Sequence, residues 1–177
     1  MKLEVINNPS ELLSEAENFF SASFYNNVKI EKPGTYTESL VARYFIEKNK
    51  NTYSCISHKE NLVFVGTSEN KIGVDIEILK KRDITLLDTF SDKEYEILGG
   101  KNWNNFYILW TAKESFIKHM NLTLENMSKI SLTKSEPSNC VISGLEFSCT
   151  SILCYNKIEK TIYTGKNGNL LYSVCID

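Results

Sequence analysis

Between Trp103 and Met120 the apolar residues fall on one helical stripe, Phe106, Leu109, Trp110, Ile117 and Met120, with Lys113 as its only charged member. Residues at that spacing share one side of a helix and have to be buried along it, so this stretch predicts the dominant helix of the chain. The segments around it alternate instead. Tyr53 to Ser57, Leu62 to Thr67 and Lys71 to Glu77 precede it as short strands; Val141 to Thr150, Ser151 to Tyr155, Glu159 to Tyr163 and Leu170 to Ile176 follow it, with a turn at Gly165 to Asn169. Short strands joined by polar turns form antiparallel meanders, and a meander needs a helix or a second sheet to cover its apolar face.

The N-terminal part has the same ingredients. Lys2 to Ile6 reads as a strand. Asn8-Pro9-Ser10-Glu11 predicts a helix start, with Asn8 as cap and Glu11 at the capping-box position, and Leu12, Leu13, Ala16, Phe19 and Phe20 give its apolar face. Asn26 to Gly34 reads as a polar connector carrying Lys29 and Lys32. Thr35 and Glu38 predict a second capping box, opening a helix that buries Leu40, Val41, Tyr44 and Phe45. Ser91 and Glu94 predict a third start, on a helix that closes at Gly99-Gly100. The expectation is one α+β domain over residues 1–177 with two pseudo-symmetric halves, about 1–70 and 71–177, each a helix packed on a small, mostly antiparallel sheet.

Composition narrows the function. A net charge of −2 argues against a general nucleic-acid binder. No apolar run approaches the ~20 residues that cross a bilayer, and the N-terminus has no signal-peptide core. The five cysteines are scattered without a C-x-x-C pair, and His58 and His119 are the only histidines, which disfavours zinc and points to reduced thiols in a cytoplasmic protein.

Three features bear chemistry. On a strand through Gly73-Val74-Asp75-Ile76-Glu77, Val74 and Ile76 face one way while Asp75 and Glu77 face the other, roughly 6.5–7 Å apart at the backbone. An apolar strand gains nothing from two like charges, whereas a hard cation between them keeps both ionised; the alternative is a solvated face on an edge strand. Trp110, Glu114 and Lys118 form an i, i+4, i+8 row on the long helix, which is either part of a site or a surface ion pair. Ser57 and His58 stand where a strand ends, where a histidine can be a ligand or a satisfied turn residue. Together three carboxylates, a lysine and a histidine suit phosphoryl transfer: oxygen ligands for Mg²⁺, a lysine for phosphate charge and a carboxylate to activate a hydroxyl. Neither G-x-x-x-x-G-K nor G-x-G-x-x-G occurs, so a common nucleotide-binding fold is disfavoured.

Ile72-Gly73-Val74-Asp75-Ile76-Glu77 followed by Trp110-Thr111-Ala112-Lys113-Glu114-Ser115-Phe116-Ile117-Lys118 resembles the signature pair of the 4′-phosphopantetheinyl transferases. Cys55-Ile56-Ser57-His58 and Phe90-Ser91-Asp92-Lys93-Glu94-Tyr95 resemble further motifs of the surfactin-synthetase-activating (Sfp-type) subgroup; together they cover roughly the central half of the chain. The resemblance implies an enzyme that moves the phosphopantetheine arm of coenzyme A onto a serine of an apo acyl or peptidyl carrier protein, releasing 3′,5′-ADP. It implies that Asp75, Glu77 and Glu114 hold Mg²⁺, or Mn²⁺ in its place, that Glu114 also deprotonates the serine, that Lys118 meets the pyrophosphate, and that Ser57 and His58 bind the 3′-phosphate of coenzyme A. It further implies coenzyme A in the cleft between the halves and a monomeric enzyme. The N-terminal half departs from the pattern: it is short and lacks the G-K-P-type loop that helps to hold adenine, leaving Lys29 and Lys32 as candidate phosphate contacts. A non-catalytic relative that binds coenzyme A or carrier protein is the alternative.

Overall fold

The computed structural model describes residues 1–177, the side chain of Pro33 excepted. Eight strands and five α-helices follow one another as β1 (Lys2–Asn7), α1 (Leu13–Phe19), α2 (Ala22–Glu31), α3 (Tyr36–Asn49), β2 (Tyr53–Lys59), β3 (Leu62–Ser68), β4 (Ile72–Ile78), α4 (Asp92–Ile97), α5 (Trp103–Met120), β5 (Ser131–Ile142), β6 (Leu145–Tyr155), β7 (Ile158–Asn167) and β8 (Leu170–Ile176). The strands form two antiparallel sheets, of order β1-β3-β2 and β4-β8-β7-β6-β5. The fold is α+β, as the sequence implies.

Strand alternation sorts the core into three layers. Val63 and Val65 of β3 face α1 and α3, where Ala16, Leu40, Val41 and Tyr44 cover them. Phe64, between them, faces the other way and joins Leu3, Val74, Ile76, Phe147, Tyr172 and Val174 in a layer shared by the two sheets. On the far side of the five-stranded sheet, Leu153, Ile162, Leu171 and Cys175 receive Leu109, Phe116 and Ile117 of α5 together with Tyr95 of α4.

The long helix spans Trp103–Met120 as its periodicity predicts, and its ends have local causes. The Asn102 side chain accepts from the Asn105 amide (3.0 Å), while Asn121 takes the left-handed conformation (φ 53°) that closes many helices. Ser91 and Glu94 form the predicted reciprocal capping box at α4.

Several local expectations need correction. β4 does not continue the meander of β2 and β3: it opens the second sheet, pairing with β8. Residues expected in a connector lie largely in α2, because Ser21 caps a helix there by accepting from the Phe24 amide. Neither Asn8 nor Thr35 caps through its side chain; Asn8 adopts a left-handed conformation and instead donates to Glu11 (2.7 Å). The C-terminal meander starts at Ser131, and the stretch expected as one strand through Val141 is broken at Ser143-Gly144, both with positive φ. β2 continues to Lys59, so His58 is a strand residue.

α5 approaches β4 most closely at Gly73. A methyl group there would stand 2.0 Å from the Ser115 carbonyl oxygen and 2.6 Å from the His119 amide nitrogen, both backbone atoms that can move only if the helix moves. Gly73→Ala is therefore expected to destabilise the protein by about 1–3 kcal/mol or more, the usual cost of overpacking a core. Chemical denaturation of the two proteins checks this, and an unchanged midpoint would contradict the close packing.

Candidate active site at the seam of the two sheets

β2 is the edge of the first sheet and β4 the edge of the second, and they lie side by side without a backbone ladder. Side chains of β2 satisfy β4's amides instead. The Val74 amide donates to Cys55 Sγ (3.3 Å) and the Ile76 amide to Ser57 Oγ (3.3 Å). Because Val74 and Ile76 point into the shared core, Gly73, Asp75 and Glu77 occupy the opposite face, beside α5. The solvated-edge reading of the carboxylate pair does not hold: Asp75 is 4% and Glu77 9% exposed.

A cleft of about 270 Å³ opens at this seam. It is lined by Ser57, His58 and Lys59 from β2, Asp75 and Glu77 from β4, and Glu114 and Lys118 from α5. All six residues expected to form a site thus share one cleft. A larger concavity, about 610 Å³ between β1 and α3, contains none of them.

Lys118 Nζ donates to Asp75 Oδ1 (2.7 Å) and to the Val74 carbonyl (3.1 Å), and the Ser57 hydroxyl donates to the same Asp75 oxygen (2.8 Å). The i, i+4 lysine of the helix is thus committed to the strand, not to a surface pair with Glu114. Burial raises the Asp75 pKa, against the opposing pull of Lys118 and Ser57. Burial alone would lower that of Lys118, but the Asp75 carboxylate outweighs it and the lysine's pKa is raised. Glu114 is pushed up to about 7, first by burial and then by the negative charge of Asp75. Ser57 is itself buried, its hydroxyl engaged by Asp75 and the Ile76 amide, while His58 is exposed.

Two residues escaped the sequence reading. Lys59 Nζ lies 3.0 Å from Glu77 Oε1 and 2.8 Å from Oε2, and pairs with that carboxylate. Arg43 of α3 lines a second hollow, of about 230 Å³, with Lys32, Glu38, Ser39 and His58; Ile56 and His58 are common to both hollows. Alternation puts Lys59 on the same face of β2 as Ser57, a signal available once β2 is extended. Arg43 is brought in by the fold alone. Lys29 lies against the Tyr36 ring (5.8 Å) and does not line either hollow.

Lys113, next to Glu114, turns to the other side of α5 and is 2% exposed. It pairs with Glu94 (2.7 Å) and lies over the Phe90 ring, so it braces α4 and lies outside the cleft. Trp110 stacks on Phe106 at the edge of the same core.

The cleft's donor set fits a hard cation. Asp75 Oδ2 is buried and has no hydrogen-bond partner, and all three carboxylates line the same wall-to-wall space. Among the described residues no three acidic, histidine or cysteine groups stand close enough to form a ready-made cage. Mg²⁺ asks for less, since it usually keeps waters and shares the oxygens of a phosphate substrate with one or two carboxylates.

Two small antiparallel sheets are thus joined at a cleft lined by carboxylates and lysines. The chain belongs to the 4′-phosphopantetheinyl transferase superfamily, whose family model matches residues 71–164. It is 29% identical over 145 residues to 4′-phosphopantetheinyl transferase gsp of Aneurinibacillus migulanus, a match covering 62% of this chain and 61% of that protein. It is 36% identical over 87 residues to 4′-phosphopantetheinyl transferase ffp of Bacillus subtilis, covering 44% of this chain and 39% of that protein. The chain therefore spans less than two thirds of the length of these relatives.

The raised pKa of Glu114 has a consequence for stability. Between its ordinary 4.5 and about 7 the folded chain keeps a proton that the unfolded chain releases. Stability contributed by the neutral carboxyl is therefore lost as pH rises through that window. Glu114→Gln is expected to melt higher than the parent above the window, by about 1 kcal/mol once partial exposure is discounted, and to match it below. Thermal melts on both sides of the window measure the difference, and a constant offset would contradict the shift.

Proposed function

We propose that the protein transfers the 4′-phosphopantetheine arm of coenzyme A to a serine hydroxyl of an apo acyl or peptidyl carrier protein, acting as a cytoplasmic monomer of one domain. The observation that carries this reading is the meeting of Asp75, Glu77, Glu114, Lys118 and His58 in one cleft between the halves of a fold that belongs to this superfamily. Among the described residues no helix is long and apolar enough to cross a membrane.

In this reading the serine oxygen attacks the phosphorus that bears the pantetheine arm, the P–O bond to 3′,5′-ADP breaks, and the serine proton passes to Glu114. A carboxyl poised near neutrality is suited to that transfer. Lys118, anchored on Asp75, presents its charge to the pyrophosphate oxygens. A Mg²⁺ or Mn²⁺ ion, held by Asp75 with Glu114 or Glu77, would supply further neutralisation of the pyrophosphate when bound. The 3′-phosphate would enter the hollow next to the cleft, where the basic side chains of Lys32 and Arg43 outnumber the one carboxylate, Glu38, and where His58 also stands. Ser57 would act through Asp75, since its hydroxyl is already engaged there. The carrier would approach over the exposed Lys80-Lys81-Arg82 run that follows β4.

The decisive experiment is the mass gain of an apo carrier protein incubated with coenzyme A and Mg²⁺. Glu114→Gln should lower turnover about 10²- to 10⁴-fold at saturating substrates, the range of a positioned general base. A loss below about tenfold would remove Glu114 from that role. Arg43→Ala and His58→Ala should each reduce the preference for coenzyme A over dephospho-coenzyme A about ten- to hundredfold, chiefly through KM. An unchanged ratio in both variants would place the 3′-phosphate elsewhere.

A further inference from the structure

The three carboxylates of the cleft are not equally free. Glu77 is bracketed by Lys59, whose ammonium reaches both oxygens at 2.8–3.0 Å. The Lys59 side chain is 26% exposed and that of Glu77 11%, so this pair is partly shielded and not a surface contact open to water on all sides. Asp75 spends Oδ1 on Lys118 and Ser57; its Oδ2, like Glu77 Oε2, is buried and accepts no hydrogen bond, but the Lys59 ammonium stands 2.8 Å from Glu77 Oε2 as well as 3.0 Å from Oε1. Glu114 lines the same cleft and takes part in no ion pair among the described residues.

We propose that Lys59 is an internal counter-ion that keeps Glu77 out of the cation's ligand set, so that Asp75 and Glu114 hold the ion and Lys59 lowers the cleft's intrinsic affinity for it. The inference rests on the functional reading above and concerns a residue that reading does not use. Its physical basis is charge count. With Asp75, Glu77 and Glu114 ionised the cleft carries three negative charges, and Lys118 and Lys59 return two positive ones. Affinity for a hard divalent ion follows the net ligand charge and the number of free carboxylates, and Lys59 reduces both. A site so balanced binds its cation weakly alone and more strongly when the pyrophosphate of the substrate adds negative charge. Metal loading is thereby tied to substrate loading. Lys59 on this view is a positioning residue, acting through Glu77.

Mn²⁺ titration followed by electron paramagnetic resonance, on the full chain without substrate, tests this apart from activity. Lys59→Met keeps the apolar stem and removes the charge; it is expected to tighten Mn²⁺ binding at least about tenfold. Glu77→Gln alone is expected to weaken Mn²⁺ binding, because it leaves the Lys59 charge unpaired beside the cleft, and the Lys59→Met, Glu77→Gln double variant is expected to return to within about twofold of the parent. That return, at unchanged net charge, is the signature of a carboxylate that was no ligand while its lysine was present. Circular dichroism and melting curves confirm that each variant folds. If Lys59→Met binds no tighter than the parent while Asp75→Asn abolishes binding, the cation site stands and Lys59 is a structural salt bridge. If the Lys59→Met, Glu77→Gln double variant binds about tenfold more weakly than the parent, Glu77 is already a ligand and the proposal is overturned. Absence of saturable Mn²⁺ binding in the parent and in Lys59→Met overturns the proposal together with the cation reading.

Discussion

The site depends on how closely α5 can lie against β4, and Gly73 sets that distance. The helix backbone at Ser115 and His119 occupies the space where any other residue would carry its Cβ. On a strand the same face next presents Asp75 and then Glu77, two and four residues on. On the helix the turns that flank this contact present Glu114 and Lys118. One missing side chain therefore brings two acidic strand residues within reach of a helical carboxylate and lysine, and Lys118 spans the gap to Asp75 at 2.7 Å. The helix is held there from behind by Leu109, Phe116 and Ile117 in the core of the second sheet, so burial of apolar surface fixes the position of polar groups that could not fix themselves.

The seam solves a second problem. β4 and β2 are both sheet edges, and edges expose amides that must find partners. Here the partners are side chains of β2, Cys55 and Ser57, not a backbone ladder. A continuous ladder would fuse the two sheets and close the gap between them. Side-chain bridging satisfies β4 and leaves an opening, and the opening is the cleft. Ser57 ties the two functions together, because the hydroxyl that accepts from the Ile76 amide also donates to Asp75. Two neighbouring residues of α5 then meet opposite environments. Lys113 is buried against Glu94, whose carboxylate also caps α4 and accepts from the Leu132 amide of β5. Glu114 faces the cleft with no such partner.

Much of this could be read from the sequence because local periodicity carried it. The bounds of α5, the capping box at Ser91 and Glu94, and the common face of Asp75 and Glu77 follow from spacing alone. What could not be read depends on contacts between distant segments. Nothing in Lys71 to Ile78 says whether it pairs with the strand before it or with Leu170 to Ile176 near the far end, since either partner buries Val74 and Ile76. The break at Ser143-Gly144 rests on two residues with positive φ, one of them a serine, which is a weak turn signal. Lys59 reads as the polar end of a hairpin until β4 is placed beside β2. Arg43 reads as the solvated side of a helix until α3 is laid next to His58.

The polar groups in the cleft work against the stability of the fold. Asp75 is buried with an oxygen that no donor meets, and a buried acceptor without a partner costs roughly 1–3 kcal/mol. Glu114 is held where its charge is disfavoured. Neither arrangement improves packing, and a glutamine in place of Glu114 would remove the second cost. The rest of the molecule offsets the strain with a shared apolar layer, in which Phe64, Val74, Ile76, Phe147, Tyr172 and Val174 are each 5% exposed or less. Val74 and Ile76 of that layer are the strand neighbours of Asp75, so the same seven residues of β4 anchor the two sheets on one face and carry the unsatisfied carboxylates on the other. A carboxylate left without a protein donor at the best-anchored point of the fold is positioned to accept from, or coordinate, whatever enters the cleft.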